Sequence, residues 1–338
     1  MAQMTYTDAI ASAIREAMRS DPRVFVMGQD VETWLFDGCW REEFGPERVR
    51  NTPISEAGFI GAGIGAALTG MRPIVELGCS TFLYSAMDQV VNQAAKSRYM
   101  FGGQASIPLV IRAPVFYGIS VAAHHSDRPW GLFAQCPGLK IIVPTTPYDA
   151  KGLLKSAVRD GNPVLCFEDV TLAGVTGEVP AGDYTVPIGV ADVKREGFDV
   201  TLVAVAAAAH HALVAAQFLE TRGISAEVID LRTVVPLDRQ TILKSVRKTG
   251  RLVVIDPAPG TCSIAAEVAA LVAEHAFEKL RARIVRLTAP DVPVPFSQDL
   301  EALMYPTVES IVSTTCSICR GPDSHASYHG RLEDSALG

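Results

Sequence analysis

The stretch Asn51-Thr-Pro-Ile-Ser-Glu56-Ala-Gly-Phe-Ile-Gly-Ala-Gly-Ile-Gly-Ala66 sets a carboxylate among apolar residues, directly before a glycine-rich helical pattern. Burial among such residues disfavours the charged form of a carboxyl, so Glu56 would be able to share a proton with a bound ring nitrogen. A structural role is open as well, in which Ser55 caps the helix and Glu56 complements the positive end of its dipole. The local sequence favours neither role over the other.

The glycines of this stretch have two interpretations. Gly61 and Gly63 begin a G-x-G-x-x-A pattern, and Glu76 ends the next predicted strand, where a dinucleotide-binding fold places its ribose-binding acid. In that fold the glycines form the turn directly after a strand. Here Pro53 and Ser55 stand before the glycines, which fall inside a helix that has already begun. We therefore expect the glycines to allow close helix packing, and we do not expect a nicotinamide site.

Strand and helix patterns alternate through the whole chain, which is typical of largely parallel sheets covered by helices. The predicted strands are 24–27, 73–76, 108–112, 140–143 and 164–167 in the first region, and 200–205, 225–229, 252–255 and 284–287 in the second. The fold class is therefore α/β, with two doubly wound domains at 1–175 and 199–315. A Gly/Pro-rich linker is predicted at 176–198, and a flexible tail at 316–338.

Composition narrows the functional classes. A chain of 338 residues with 48% hydrophobic residues, 20% charged residues and a net charge of −7 suits two compact soluble domains. Basic and acidic residues are interspersed, so we expect no nucleic-acid binding. Seven mostly isolated cysteines and the lack of a signal-like start favour a cytoplasmic protein. Residues 200–219 carry no formal charge but are interpreted as a strand and a helix, so we expect no membrane association.

Six short motifs occur in order within residues 4–313, and their combination is far more specific than any one of them. They are Thr52-Pro-Ile-Ser-Glu-Ala-Gly58, Met87-Asp-Gln-Val-Val-Asn-Gln-Ala-Ala-Lys96, Arg98-Tyr-Met-Phe-Gly-Gly103, Pro137-Gly-Leu-Lys140, Pro147-Tyr-Asp-Ala-Lys-Gly-Leu153 and Val228-Ile-Asp-Leu-Arg-Thr233. With them the chain resembles the beta subunits of the decarboxylating component of pyruvate, acetoin and branched-chain 2-oxo acid dehydrogenase complexes. The resemblance implies a transketolase-like pyrimidine-binding domain followed by a transketolase C-terminal-like domain.

The resemblance also implies thiamine diphosphate as the cofactor and a role for five residues. Glu56 is expected to hydrogen-bond a ring nitrogen of the aminopyrimidine, favouring the tautomer that accepts the proton of the thiazolium carbon. Phe82 is expected to stack on that ring, and Ile54 and Gly78 to contact the cofactor. His125 is expected beside the reacting substrate, where it can orient a carboxylate and steer a lipoyl acceptor.

Plainer interpretations stand beside these roles. Phe82 alone would be a core aromatic, and its position six residues after Glu76 is what favours the cofactor. A histidine beside a loop is more often structural, but His125 follows the glycine-bearing loop 114–120, and such loops carry ligand sites. Relatives commonly have glutamine where His124 stands, so the choice among 2-oxo acids and acetoin stays open.

The chain contains no Gly-Asp-Gly motif, with which thiamine diphosphate enzymes hold a divalent metal on the diphosphate. The resemblance therefore implies that an alpha subunit holds most of the magnesium site, in a heterotetramer of two alpha and two beta subunits. It also implies a lipoyl acyltransferase partner. Two alternatives remain: half of a split transketolase-like ketol transferase that uses no lipoyl group, and a non-catalytic interaction subunit.

Two further metal sites are considered. The resemblance suggests potassium on one set of backbone and side-chain oxygens, with an ordinary exposed turn as the alternative. These oxygens belong to Leu109, Ala157, Val158, Asp160 and Asn162. The tail carries four residues of zinc-binding type, Cys316, Cys319, His325 and His329. Their central spacing is much shorter than in ordinary zinc fingers, so a flexible tail is favoured over zinc.

Overall fold

The computed structural model of the chain describes residues 1–34 and 40–320. The strands are β1 (Ala2–Thr5), β2 (Val24–Gly28), β3 (Val49–Asn51), β4 (Arg72–Glu76), β5 (Val110–Val115), β6 (Lys140–Ile142), β7 (Val164–Asp169), β8 (Thr176–Val179), β9 (Asp192–Arg195), β10 (Val200–Ala204), β11 (Ala226–Asp230), β12 (Thr233–Val235), β13 (Leu252–Pro259) and β14 (Val285–Ala289). The α-helices are α1 (Tyr6–Ser20), α2 (Val31–Trp34), α3 (Trp40–Phe44), α4 (Glu56–Leu68), α5 (Ala95–Met100), α6 (Trp130–Ala134), α7 (Pro147–Arg159), α8 (Ala208–Glu220), α9 (Arg239–Thr249), α10 (Ile264–His275), α11 (Gln298–Glu301) and α12 (Val308–Arg320).

Helix α1 illustrates how local sequence sets these elements. The Thr5 hydroxyl accepts a hydrogen bond from the Asp8 amide at 3.1 Å and so caps the first turn. Ile10, Ala13 and Ile14 recur at spacings of three and four, which places them on one buried face. That face packs against α7, so the helix is fixed mainly by tertiary burial.

The first sheet has seven strands in the order β12-β6-β7-β5-β4-β2-β3. Every neighbouring pair runs parallel except β12 and β6, which run antiparallel. Crossover helices between parallel strands cover the sheet faces, and Ile74, Ile111 and Leu165 are accordingly fully buried. Because β12 comes from the second half of the chain, the second domain completes the edge of the first sheet.

The second sheet has five strands in the order β14-β13-β10-β11-β9. Three pairs run parallel, and β9 lies antiparallel on the edge beside β11. The α/β class with two mainly parallel sheets is thereby confirmed. Residues 200–219 form β10 and most of α8 as predicted, and within the described ranges no helix is both long and apolar enough to cross a bilayer.

Two predicted boundaries need correction. The predicted linker at 176–198 contains β8, which pairs with β1, and β9, which joins the second sheet. Backbone hydrogen bonds to strands distant in sequence form β8 and β9, although the local sequence of 176–198 is rich in Gly and Pro. The predicted tail begins inside α12, because Ile311, Val312, Thr315 and Ile318 bury one face of that helix through to its end at Arg320. The remainder, 321–338, lies outside the described residues.

The glycines of the opening stretch lie inside α4, as predicted. A Cβ atom built on Gly63 would stand 2.8 Å from Cγ2 of Val75 on β4, so the helix approaches the sheet more closely than any larger residue allows. The helix begins at Glu56 and not at Ser55, and the Ser55 side chain makes no capping hydrogen bond. Close packing of α4 fixes where Glu56 emerges at the sheet edge.

Candidate active site at the carboxyl ends of three strands

Three side chains singled out by the sequence follow the carboxyl ends of three strands in the first sheet. Glu56 opens α4 after β3, Phe82 lies in the 3₁₀ segment Ser80–Ala86 after β4, and His125 ends the 3₁₀ turn Ala123–His125 after β5. In the sheet, only β2 intervenes between β3 and β4, and β4 pairs directly with β5. Ligand sites of open α/β sheets lie at this edge, so the three side chains come to one place.

Glu56 is half-buried and is hydrogen-bonded by a serine. Ser85 Oγ lies 3.1 Å from Glu56 Oε2 and also 2.8 Å from the Phe82 carbonyl oxygen. The expected burial of Glu56 is therefore incomplete within this chain, because the segment before α4 faces outward and Ile54 is 74% exposed. Further desolvation of the carboxylate requires something placed over this surface.

Phe82 connects the serine to the histidine. Its ring packs at the border of the hydrophobic core, only partly buried, and meets the His125 ring edge to face at a centroid distance of 5.5 Å. The Cys79 thiol donates to the His125 carbonyl oxygen at 3.5 Å, and burial raises the pKa of that thiol, which keeps it protonated as a donor. The structure therefore brings Glu56, Phe82 and His125 into one contiguous group.

The two adjacent histidines have different surroundings. The His124 ring is exposed, and its centroid lies 4.0 Å from that of His125. Partial burial, together with the nearby His124, lowers the pKa of His125 below its usual range. A neutral imidazole has one donor and one acceptor nitrogen, so His125 can serve either function towards a substrate.

The turn after β4 leaves room for a ligand. Gly78 has a φ of +78°, and nothing lies within 4 Å of the position that a Cβ atom would take. We call Ile54, which is 74% exposed, the open Gly78 turn and the partly buried Phe82 the cofactor shelf. By residue type, a partly exposed aromatic ring, an open glycine turn and the Glu56 carboxylate suit a flat heteroaromatic ring with a ring nitrogen, such as the aminopyrimidine of thiamine diphosphate.

A buried ion-pair group is joined to the Gly78 turn. Arg112 donates to Glu168 Oε1 at 2.7 Å and Oε2 at 2.6 Å, and to Glu76 at 2.5 Å, while the Gly78 amide lies 3.3 Å from Glu76 Oε1. Burial raises the pKa of Glu76. Glu76 is thus bound within the protein and supports the Gly78 turn, an arrangement unlike that of an acid holding a ribose.

The residues suggested for potassium lie together where α7 turns into β7 beside the start of β5. Their backbone oxygens already accept hydrogen bonds: the Leu109 carbonyl from the Val164 amide at 2.9 Å, and the Val158 and Asp160 carbonyls from Arg72 Nη1 at 2.6 and 3.3 Å. The Lys140 ammonium pairs with the Asp160 carboxylate. Arg98 Nη1 also donates to Asn162 Oδ1 at 3.1 Å, so three cationic side chains contact oxygens of Val158, Asp160 and Asn162 that are considered for the ion.

The cysteines considered for zinc, Cys316 and Cys319, lie three residues apart on α12, while His325 and His329 lie outside the described residues. Within 1–34 and 40–320, no group of three or more His, Cys, Asp or Glu side chains is arranged to hold a metal ion. Burial raises the pKa of the Cys319 thiol to about 11. This disfavours the thiolate that zinc requires.

Several residues at the site were missed by sequence reasoning. Ser85, Cys79 and Arg112 were given no role from the sequence. Ser85 follows Phe82 by three residues, and in a helical turn that spacing places two side chains on one side. The partners of Arg112 are 36 and 56 residues away, and no local pattern reports such contacts.

Both halves of the chain match family models: residues 2–174 match the transketolase pyrimidine-binding domain, and residues 189–311 match the transketolase C-terminal domain. A solved split gene transketolase, described as an inactive beta4 tetramer, has the same fold, with a TM-score of 0.78 at 24% identity over 94% of this chain and 98% of that one. Fold and site together define a transketolase-type protein that carries the pyrimidine-binding part of a thiamine diphosphate site.

Curated relatives narrow the class further. The beta subunit of acetoin:2,6-dichlorophenolindophenol oxidoreductase of Bacillus subtilis (strain 168) is 48% identical over 94% of this chain and 98% of its own length. The 2-oxoisovalerate dehydrogenase subunit beta of the same organism is 47% identical over 89% and 94%. The pyruvate dehydrogenase E1 component subunit beta of Rhizobium meliloti (strain 1021) is 43% identical over 94% and 70%. The chain belongs to this family, the E1 beta subunits of thiamine-diphosphate-dependent 2-oxo acid and acetoin dehydrogenases, and the resemblance carried by the six motifs is confirmed.

Proposed function

We propose that this chain supplies the activating half of a thiamine diphosphate site in an assembly that decarboxylates a 2-oxo acid, or cleaves acetoin, and transfers the acyl group to a lipoyl carrier. The observation that carries the proposal is the contiguous group of Glu56, Ser85, Phe82 and His125 at one sheet edge. When bound there, thiamine diphosphate supplies the ring that stabilises a carbanion next to the substrate carbonyl.

Glu56 would hold and relay one proton. Ser85 donates to Oε2, so Oε1 is the oxygen that would meet a ring nitrogen. A ligand lying over the shelf excludes water from the half-buried carboxylate and favours its protonated form. Phe82 would keep the ring in the plane that this hydrogen bond needs, so that Glu56 shares its proton without first reorienting.

His125 would act on the substrate side. Its ring meets Phe82 edge to face, and its lowered pKa favours the neutral form near neutral pH. Neutral imidazole can donate to a carboxylate or carbonyl oxygen, which orients the substrate and later the acyl acceptor. The exposed His124 ring lies beside the His125 ring and would add a second hydrogen-bond donor there.

The partner would be an alpha subunit, in a heterotetramer of two alpha and two beta subunits. The shelf faces out of the chain, and a diphosphate with magnesium needs hard oxygen ligands, which we assign mainly to the alpha subunit. A lipoyl acyltransferase would be the further partner. We propose a cytoplasmic location, which the six free cysteines among the described residues support.

Potassium at the turn between α7 and β7 is a separate proposal. Because Arg72 donates to the Val158 and Asp160 carbonyls, an ion there would have to displace that guanidinium. A melting temperature that rises in potassium over equal sodium would support the ion. Equal melting temperatures would show that potassium does not bind and that Arg72 keeps its hydrogen bonds to these carbonyls.

The proposed function is tested by co-expression with the alpha subunit and assay of pyruvate, 2-oxoisovalerate and acetoin with an artificial electron acceptor, with a ketol sugar as the comparison donor. We expect turnover with at least one donor, and a loss of about 100-fold or more in kcat for Glu56→Gln, since general acid-base groups contribute about that much. Glu47→Gln is the matched control, because its side chain is 87% exposed and lies outside the site.

Each other outcome rejects part of the proposal. Full turnover by Glu56→Gln would exclude the proton role. Activity confined to ketol sugar donors would identify half of a split transketolase, and no turnover with any donor would leave a non-catalytic interaction subunit. Tight binding of thiamine diphosphate and magnesium by the purified chain alone, measured calorimetrically, would refute the shared site.

A further inference from the structure

A carboxylate from the second domain holds the loop that carries His125. Glu301, the last residue of α11, is 1% exposed. Its Oε1 accepts a hydrogen bond from the Gly118 amide at 2.6 Å, and its Oε2 accepts one from the Ser120 amide at 2.7 Å. The Tyr305 hydroxyl also donates to Oε1, at 3.1 Å. Both oxygens of a buried carboxylate are therefore engaged, chiefly by loop backbone.

The backbone between these amides and His125 is strained. Ser120 has a φ of +59°, and Ala122 has a φ of +67° with a ψ of 175°, backbone conformations that residues other than glycine rarely adopt. Such residues persist only where surrounding contacts enforce them. The amide that donates to Glu301 Oε2 belongs to Ser120, the first strained residue. The second, Ala122, directly precedes the turn that ends at His125.

The far end of the loop is held by the same segment. The Arg128 guanidinium lies over the rings of Tyr117 and Tyr305, 5.3 and 4.7 Å from their centroids. Its Nη1 donates to the Ser126 carbonyl at 2.7 Å and to the Tyr305 hydroxyl at 3.1 Å. Residues 301–305 thus restrain the loop on both sides of His125.

We propose that Glu301 is a positioning residue for His125, holding the strained loop 118–126 so that the imidazole faces Phe82 and the cofactor shelf. The catalytic consequence rests on the proposed function, whereas the hold on the loop does not. Glu301 is buried and both its carboxylate oxygens accept hydrogen bonds from the protein, so we give it no contact with substrate. Its effect comes through geometry, since a displacement of about 1 Å can cost about 100-fold in rate.

The first test measures kinetics in the assembly with the alpha subunit. We expect Glu301→Ala to lower kcat by about 10-fold to 100-fold, while the Kd for thiamine diphosphate changes less than about twofold because Glu56 and Phe82 are untouched. Glu301→Gln keeps one acceptor oxygen and should lie between Glu301→Ala and the unchanged protein. Asp299→Asn is the matched control, an exposed acid on the same short helix, and should leave kcat unchanged.

The second test is hydrogen exchange, which needs no turnover. In Glu301→Ala we expect amide exchange to rise about tenfold or more both at 118–120 and at 122–126, with β5 and β7 unchanged. Faster exchange confined to 118–120 would overturn the proposal, because the hold would then not reach His125. So would a kcat equal to that of the unchanged protein despite a loosened loop.

The two proposals fail in different ways. If the unchanged assembly turns over no donor, the proposed function fails while exchange at 122–126 still decides whether Glu301 holds the loop. If the unchanged assembly is active and Glu301→Ala is equally active, only the positioning role fails. A parallel fall in melting temperature, cofactor affinity and kcat would indicate a purely structural role and would also overturn it.

Discussion

Ser85 Oγ stands 3.1 Å from Glu56 Oε2. The same hydroxyl lies 2.8 Å from the Phe82 carbonyl oxygen. A serine has a single hydroxyl proton, so it donates to one oxygen at a time and can change partner when the carboxyl of Glu56 changes its protonation. Ser85 therefore links the proposed proton-transfer residue to the backbone of the proposed stacking residue.

Removal of this link should slow the reaction. We expect Ser85→Ala to lower kcat by about 10-fold to 100-fold, because a hydrogen bond to a charged group contributes about 1.5–3 kcal/mol. Steady-state kinetics of the assembly with the alpha subunit measure it. Ser313→Ala is the control, since that exposed hydroxyl donates to the Ser310 carbonyl on α12, in the second domain. An unchanged kcat for Ser85→Ala would show that Glu56 needs no support from this chain.

The histidine pair predicts a shift in titration. Partial burial, together with His124, lowers the pKa of His125, so we expect His124→Gln to raise that pKa. The limb of the pH–rate profile that belongs to His125 should move to higher pH. Nuclear magnetic resonance titration of the ring protons measures the shift directly. The Phe82 ring meets the His125 ring and the Cys79 thiol donates to the His125 carbonyl oxygen, and neither residue is changed in this variant.

The matched control for the pair is His211→Gln, an exposed histidine on α8. It should leave the His125 titration unchanged. If the pKa of His125 is unchanged in His124→Gln, burial alone lowers that pKa.

The buried ion-pair group predicts a pH-dependent stability. Arg112→Met leaves Glu76 and Glu168 buried without their shared cation, which should cost about 3–5 kcal/mol in the free energy of unfolding. Burial already raises the pKa of Glu76, and a carboxyl with a raised pKa stabilises the fold only while it is protonated. The loss should therefore be larger at pH 8 than at pH 5.5.

Urea unfolding at the two pH values measures this loss. Arg19→Met is the control, because its ion pair with Glu43 is largely exposed and should contribute less than about 1 kcal/mol. A loss of equal size at both pH values would contradict the assignment of excess proton affinity to Glu76.

Two glycines on α4 predict opposite effects of the same change. Gly63→Ala places a Cβ atom 2.8 Å from Val75 and should destabilise by about 1–3 kcal/mol, beyond the gain in helix propensity. Gly65→Ala meets nothing within 4 Å and should be neutral or stabilising by up to about 1 kcal/mol. Thermal unfolding of both variants compares them. Equal melting temperatures would show that α4 does not pack as tightly as the structure has it.

Local sequence was sufficient for most of the fold. The nine predicted strands are observed as β2, β4–β7, β10, β11, β13 and β14, because each is a short apolar run whose burial is visible from its own residues. The five strands missed, β1, β3, β8, β9 and β12, are short or partly exposed. All five lie on sheet edges or in the two-stranded sheet, where pairing partners and not apolar runs define them. The linker and the start of the tail were misjudged for the same reason.

The sequence by itself singled out the residues proposed to do the chemistry: Glu56 ahead of a helix, Phe82 after β4 and His125 after a glycine-bearing loop. Their order along the chain and the α/β pattern were enough to expect one sheet edge. Tertiary structure alone decided how they are held, by Ser85 on Glu56, by the Arg112 ion pairs under Gly78 and by Glu301 on the His125 loop. These contacts join residues that are 29 to 183 positions apart, or depend on a turn's geometry, and no sequence period reports them. Glu56 itself is only half-buried, beside the exposed Ile54, although Phe59 and Ile60 on the same helix are buried. In the proposed function a partner subunit covers its carboxylate.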